Sequence, residues 1–234
     1  MNRLSTTFAR LQSDNRAGFV AYVMAGDGDT ATLLDRLPGA GADVIELGMP
    51  FTDPMADGPA IQAAAQRALE NGMTVKGTLA LAKAFRANHP ETPLVLMGYA
   101  NPIHHYGWEA FARDASDAGV DGLICVDLPP EEDQPLREAL SRVGIAIIRL
   151  ATPTTDDNRL KTVAEGSSGF VYYVSTTGVT GAGIGAATDV GAAVARVRKA
   201  TGLPVVEPTQ VAVSMALGQI QLGLSHRPQR TDHA

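Results

Sequence analysis

Two carboxylates and the loop between them carry the clearest chemical signal in this sequence. Glu46 lies in Asp43-Val44-Ile45-Glu46-Leu47-Gly48, a short run of β character in which an acid is out of place. Burying a carboxyl group among Val, Ile and Leu is costly unless it has a partner or a task. Asp57 follows across a loop stiffened by Pro50 and Pro54 and closed by Asp57-Gly58. A helical pattern then opens at Pro59, a residue suited to the first turn of a helix. Apolar neighbours such as Leu47 and Phe51 predict a raised pKa for Glu46, which would fit it to move a proton near neutral pH. That second acid, Asp57, stands on a loop able to fold back over the first. The plainer alternative is a solvent-facing Glu followed by an acidic turn, and structural carboxylates outnumber catalytic ones. Asp53, in the same loop, reads more simply as a turn-capping carboxylate.

Other candidates are weaker on spacing alone. Thr177-Gly178-Val179-Thr180-Gly181-Ala182-Gly183-Ile184-Gly185 is a glycine-rich loop whose free N–H groups could cradle a phosphate. A dinucleotide fingerprint would need a helix opening directly after the glycines; here the helical pattern starts near Asp189. In Phe170-Val171-Tyr172-Tyr173-Val174-Ser175, strand alternation sends Tyr172 and Tyr173 to opposite faces. His104 and His105 are adjacent, so their side chains diverge rather than share a metal, and no metal site is expected. Cys125 sits in an apolar run and reads as a packing residue.

The elements that must position these residues alternate along the chain. Strand patterns cover Gly18–Met24, Asp43–Gly48, Leu94–Tyr99, Gly122–Val126, Ile145–Leu150, Phe170–Ser175 and Leu203–Val206. Helical patterns cover Ala31–Leu37, Pro59–Asn71, Val75–Ala87, Trp108–Ala118, Glu131–Val143, Asp157–Ala164 and Val190–Ala200. Near-continuous apolar strands separated by helices predict a parallel sheet covered by helices, either a TIM barrel or a doubly wound sheet. Connections after strands, such as Pro50–Asp57, Asn101–Gly107 and Thr176–Gly185, read as long Gly/Pro-rich loops, while the returns are short. That asymmetry favours a barrel with its site at the C-terminal face, although open sheets also bind at that edge. One barrel domain over residues 1–225 is expected, with a disordered polar tail over 226–234. The 45% apolar content suffices for a large core. A net charge of −6 argues against nucleic-acid binding. No apolar run is long enough for a membrane span, and a single cysteine suits the reducing cytoplasm.

The stretch Ile45-Glu46-Leu47-Gly48-Met49-Pro50-Phe51-Thr52-Asp53-Pro54-Met55-Ala56-Asp57-Gly58 resembles, position by position, the signature of the tryptophan synthase alpha subunit. The resemblance runs from the N-terminus to about Val206. It implies a TIM (β/α)8-type barrel that cleaves indole-3-glycerol phosphate, by a retro-aldol reaction, to indole and glyceraldehyde 3-phosphate. Glu46 would be the general acid/base and Asp57 the acceptor of the indole N–H. Tyr172 would lie near the glutamate. Tyr99 and Asn101, in Met97-Gly98-Tyr99-Ala100-Asn101-Pro102, would line the indole pocket and the partner-facing loop. Asp127 matches an aspartate close to the active-site loops. Thr180 would orient the catalytic loop, and Gly181 would contact the phosphate. The family works with a beta subunit, which holds pyridoxal phosphate; no cofactor is implied for this chain. After Val206 the family's Gly-Phe-Gly turn and final Gly-Ser have no counterpart. A last βα unit that is truncated or altered, with weak cleavage, is therefore expected. Two further readings stand beside the first: an impaired alpha-like protein that keeps fold or partner surface, and another phosphate-binding barrel enzyme.

Overall fold

A computed structural model of the chain describes residues 2–174 and 190–207. Their elements in chain order are α1 (Arg3–Ser13), β1 (Val20–Met24), α2 (Thr30–Arg36), β2 (Val44–Gly48), α3 (Pro59–Glu70), α4 (Val75–Asn88) and β3 (Leu94–Gly98). Then come α5 (Ala100–Tyr106), α6 (Trp108–Asp117), β4 (Gly122–Cys125), α7 (Gln134–Arg142), β5 (Ala146–Ala151), α8 (Asp157–Ala164), β6 (Val171–Tyr173), α9 (Val190–Thr201) and β7 (Val205–Val206). The strands form a sheet in the order β1-β2-β3-β4-β5-β6-β7, with every neighbouring pair parallel. A doubly wound sheet would reverse its strand order at a switch point. This one runs in a single direction and curls, which is the TIM-type arrangement.

Strand alternation separates two apolar layers. Val20, Val44, Val95, Ile124, Ile148 and Val206 meet on the inner, concave face. Ile45, Leu47, Leu94, Leu96, Leu123 and Ile147 point outward beneath the helices. Period-two alternation therefore puts Glu46 inside, between Val44 and Gly48. The same rule puts Tyr172 inside and Tyr173 under α8 and α9.

Helix α1 closes the N-terminal end of the sheet. Its cap residue Asn2 accepts from the Leu4 N–H at 2.9 Å, and its amide donates to the carbonyl of Asp121 at 2.9 Å. Leu4 is fully buried at the bottom of the inner layer. A Cβ at Gly169, whose φ of +79° already favours glycine, would lie only 3.2 Å from Leu4 Cδ1.

One expectation is corrected. The stretch Asn101–Gly107, read as a loop, is mostly helix α5, which ends at Gly107 with φ +93°. Pro102 falls in the first turn, where a missing N–H costs nothing, so a local Asn-Pro signal does not break the helix. Residues 180, 181, 208–225 and the tail 226–234 lie outside the described residues.

Candidate functional site

The C-terminal ends of β1, β2, β3 and β6 bring most of the candidate residues together. Glu46 is 1% exposed, and its Oε1 has no hydrogen-bond partner among the described residues. Burial alone pushes its carboxyl from 4.5 up to about 8. The cause is the inner face, not the neighbours named from sequence: Leu47 points outward and Phe51 packs on Tyr99 with centroids 5.2 Å apart.

Tyr22 stands in register with Glu46 on the adjoining strand. Its ring leans toward the mouth so that the hydroxyl lies over Gly48, where any Cβ would come within 2.2 Å of it. Burial and then the charges of Asp57 and Glu46 raise the Tyr22 phenol. Tyr172 is raised in the same way, by burial and then by Glu46 and Glu207. Two phenols thus line the space into which Glu46 points. Tyr22 was not singled out from sequence, because choosing among strand tyrosines needs the register between strands. Glu207, directly after β7 and 4% exposed, was equally illegible as a neighbour of the site.

Asp57 is half-buried, and burial raises its pKa while a hydrogen bond from Tyr99 opposes the rise. Tyr99 is 4% exposed, and its hydroxyl also accepts the Ala56 N–H at 3.1 Å. Burial first, then Asp57, push the Tyr99 phenol up to about 12. The loop itself is a tight turn: Asp57 N–H donates to Pro54 O at 3.1 Å and Met55 N–H to Asp53 O at 2.9 Å. The Thr52 hydroxyl donates to the neighbouring Asp53 carboxylate at 2.5 Å. Gly58 caps α3 and Pro59 opens it, so Asp57 is fixed at a helix entrance.

The remaining candidates lie apart from Glu46. Asn101 is exposed on α5, and His104 packs on Trp108 with centroids 5.0 Å apart. Cys125 is a buried free thiol. Among the described residues no cluster of His, Cys, Asp or Glu could hold a metal, and no helix is long and apolar enough to cross a membrane. Thr180 and Gly181 fall outside the described residues, so the phosphate end of the site carries no geometry. Two clefts of about 700 and 500 Å³ open near the N-terminal ends of the strands and touch neither Glu46 nor Asp57.

Comparison with known proteins agrees with this arrangement. The family model described as tryptophan synthase alpha chain matches residues 8–213, slightly further than the expected limit at Val206. The tryptophan synthase alpha chain of Caulobacter sp. (strain K31) is 60% identical over 207 residues, covering 87% of this chain and 75% of the relative. That of Phenylobacterium zucineum is 61% identical over 206 residues, covering 87% and 74%. A crystal structure of the Legionella pneumophila alpha chain superimposes with a TM-score of 0.80 at 36% identity, covering 88% of this chain and 76% of that one. A chain from a Mycobacterium tuberculosis tryptophan synthase structure gives 0.81 at 38%, covering 88% and 79%. A buried acid at the mouth of a curled, single-direction parallel sheet, the loop that carries Asp57, and these matches over most of the length lead to one conclusion: this chain belongs to the tryptophan synthase alpha chain family.

Proposed function

We propose that the chain is a carbon–carbon lyase that cleaves indole-3-glycerol phosphate to indole and glyceraldehyde 3-phosphate. The observation that carries this reading is Glu46: a carboxyl group buried on the inner face with one oxygen unpartnered. A fold tolerates such a group where a ligand completes it. With a pKa of about 8, Glu46 enters the reaction protonated at neutral pH. It gives its proton to C3 of the indole ring, which makes the ring nitrogen cationic. The resulting carboxylate then takes the proton of the hydroxyl on the adjoining side-chain carbon. That carbon becomes the aldehyde, the bond to C3 breaks, and its electron pair restores the aromatic ring. Net proton transfer is from hydroxyl to C3, so Glu46 ends as it began.

Asp57 accepts the indole N–H and offsets the cation as it forms. An anion held in place before reaction avoids the reorganisation that water would need. Tyr172 packs beside the reacting carbon, and Tyr99 flanks the ring while holding the loop. Thr180 orients that loop and Gly181 contacts the phosphate. The chemistry runs on carboxyl groups, so this chain needs no cofactor. Its partner is a tryptophan synthase beta subunit, which carries pyridoxal phosphate and receives the indole. We read residues 1–225 as one barrel domain, and the lone thiol supports a cytoplasmic location.

Steady-state release of indole from indole-3-glycerol phosphate tests the reading, with and without a beta subunit. No indole in either case would refute it. Asp57→Asn should slow cleavage by about tenfold or more, at about 1.4 kcal/mol per decade, because the ring cation loses its counter-charge. Affinity for glycerol phosphate, which has no ring, should stay within twofold.

A further inference from the structure

We propose that Asp127 is a positioning residue for Asp57, acting through the first residues of α5 and Tyr99. This inference rests on the reading of Asp57 given above. Asp127 lies just beyond β4 and is exposed, with no cation beside it among the described residues. Its Oδ1 accepts the N–H of Ala100 at 2.7 Å, and the Cys125 thiol approaches the same oxygen at 3.7 Å. Ala100 is the first residue of α5, and the helix has no cap from the side chain of its own N-cap residue, Tyr99. A carboxylate from the neighbouring strand therefore satisfies an N–H that the helix leaves open, at the end where a negative charge is favoured.

The bond continues the sheet past its last strand residues. Val126 N–H donates to Gly98 O at 2.9 Å, and the Ala100–Asp127 bond is the next tie between the same two chain segments. Tyr99 lies between them, with φ −114° and ψ 153°, so these two ties set the direction of its Cα–Cβ bond. From there its ring reaches Phe51, while its hydroxyl accepts the Ala56 N–H at 3.1 Å, next to Asp57, whose carboxyl it holds lower than burial alone would. The path is short, made of hydrogen bonds and adjoining residues: β4 end, Asp127, Ala100, Tyr99, and the loop at Ala56 and Asp57. A Tyr99 that loses its anchor keeps its ring buried but swings its hydroxyl, and a hydroxyl displaced by an ångström no longer bonds Asp57.

A purely structural cap on α5 would alter stability alone. A positioning role predicts more. In Asp127→Ala the Asp57 carboxyl loses the bond that lowers its pKa, so the acid limb of the pH profile of kcat/KM moves upward. Turnover should fall about tenfold while KM changes less than threefold. Asp127→Asn keeps an oxygen for Ala100 and should restore most of both. Tyr99→Phe should reproduce the Asp127→Ala phenotype, and the double variant should be no worse than Tyr99→Phe alone, because both act through one hydroxyl. The second readout needs no turnover: carboxyl carbon NMR of the full chain, with Asp57 assigned by its loss in Asp57→Asn. Asp127→Ala should raise the Asp57 titration midpoint as Tyr99→Phe does. If the parent chain releases no indole but the midpoint shifts, the relay stands and the proposed reaction falls. Unchanged midpoint and pH limb in Asp127→Ala, or full additivity with Tyr99→Phe, would overturn the relay.

Discussion

The two ends of the barrel treat the same functional group in opposite ways. At the N-terminal ends of the strands, Asp43 and Asp121 are buried carboxylates with cations beside them. Asp121 meets Arg3 at 2.9 Å and Arg86 at 2.8 Å, and it accepts the Leu94 N–H at 2.9 Å. Asp43 meets Arg16 at 2.5 Å and accepts the Phe19 N–H at 2.9 Å. At the other end, Glu46 is as deeply buried, but among the described residues no arginine or lysine pairs with it and one oxygen lacks a partner. The charge at the bottom is neutralised where it stands, and the acid at the top is kept neutral by burial instead. The first arrangement holds strands and α1 together; the second leaves a proton ready to leave. Burial therefore does not mark a functional acid in this fold. The missing partner is what sets Glu46 apart from Asp43 and Asp121.

The largest effect should come from breaking the bottom of that contrast. Asp121→Ala leaves Arg86 largely buried without its counter-charge and orphans the Leu94 N–H. Removing one partner from a buried ion pair costs about 3–5 kcal/mol. Denaturant unfolding should show that loss, while the fraction that remains folded should keep its turnover, since nothing at the mouth has changed. A fall in turnover per folded molecule with no loss of stability would contradict the division of roles.

Glu46→Gln breaks the top. It preserves size and polarity but removes the titrating group, so turnover should fall about 10²-fold or more. Stability should move the other way. The folded pKa of about 8 lies above the ordinary 4.5, so the unfolded chain gives up this proton first as pH rises. Between those two values the unfolded state gains, and the parent chain should lose up to about 5 kcal/mol from this group. Above pH 8 the loss is complete, and below pH 4.5 it is absent. The Gln variant has no such slope, so its advantage in thermal unfolding should grow from pH 5 to pH 8. Equal pH dependence in the two chains would mean that Glu46 is not neutral in the folded protein.

How much of this could be read in advance follows from the range of each interaction. Glu46 was legible because an acid in a Val/Ile/Leu run conflicts with its neighbours in sequence, and Asp57 because prolines and a helix start frame it. The alternation of strands and helices was legible from the spacing of apolar runs, but those runs left a barrel and a doubly wound sheet both open, because both use the same βαβ unit. The bottom acids were not singled out, because their arginines come from far along the chain: Arg3 and Asp121 are 118 residues apart. Tyr22 needed the pairing of β1 with β2, which no local pattern contains. Helix α5 was read as a loop because Asn101-Pro102 looks like a turn, while the group that secures its first N–H is Asp127 on another strand. Local conflict is visible in a sequence, and long-range compensation is not.

The smallest effect sharpens the contrast within the bottom end itself. Both Arg10 and Arg16 reach Asp43, but their geometry differs. Arg16 makes two bonds, at 2.9 and 2.5 Å, one to each carboxylate oxygen, whereas Arg10 makes one at 3.4 Å. Their side chains are 49% and 60% exposed, so water and salt screen both, and neither approaches the cost of losing Asp121. A two-pronged guanidinium contact holds its geometry with little further loss of side-chain freedom, and a single long contact does not. Arg16→Ala should therefore cost about 1 kcal/mol, and Arg10→Ala no more than about 0.3 kcal/mol, the range of exposed pairs. Raising the salt to about 1 M, where the Debye length falls to about 3 Å, should erase most of the Arg10 effect and only part of the Arg16 effect. Urea midpoints at low and high salt for the two variants measure this. Equal losses for both, unchanged by salt, would mean that packing of the two aliphatic stems, and not their charges, secures α1 against β2.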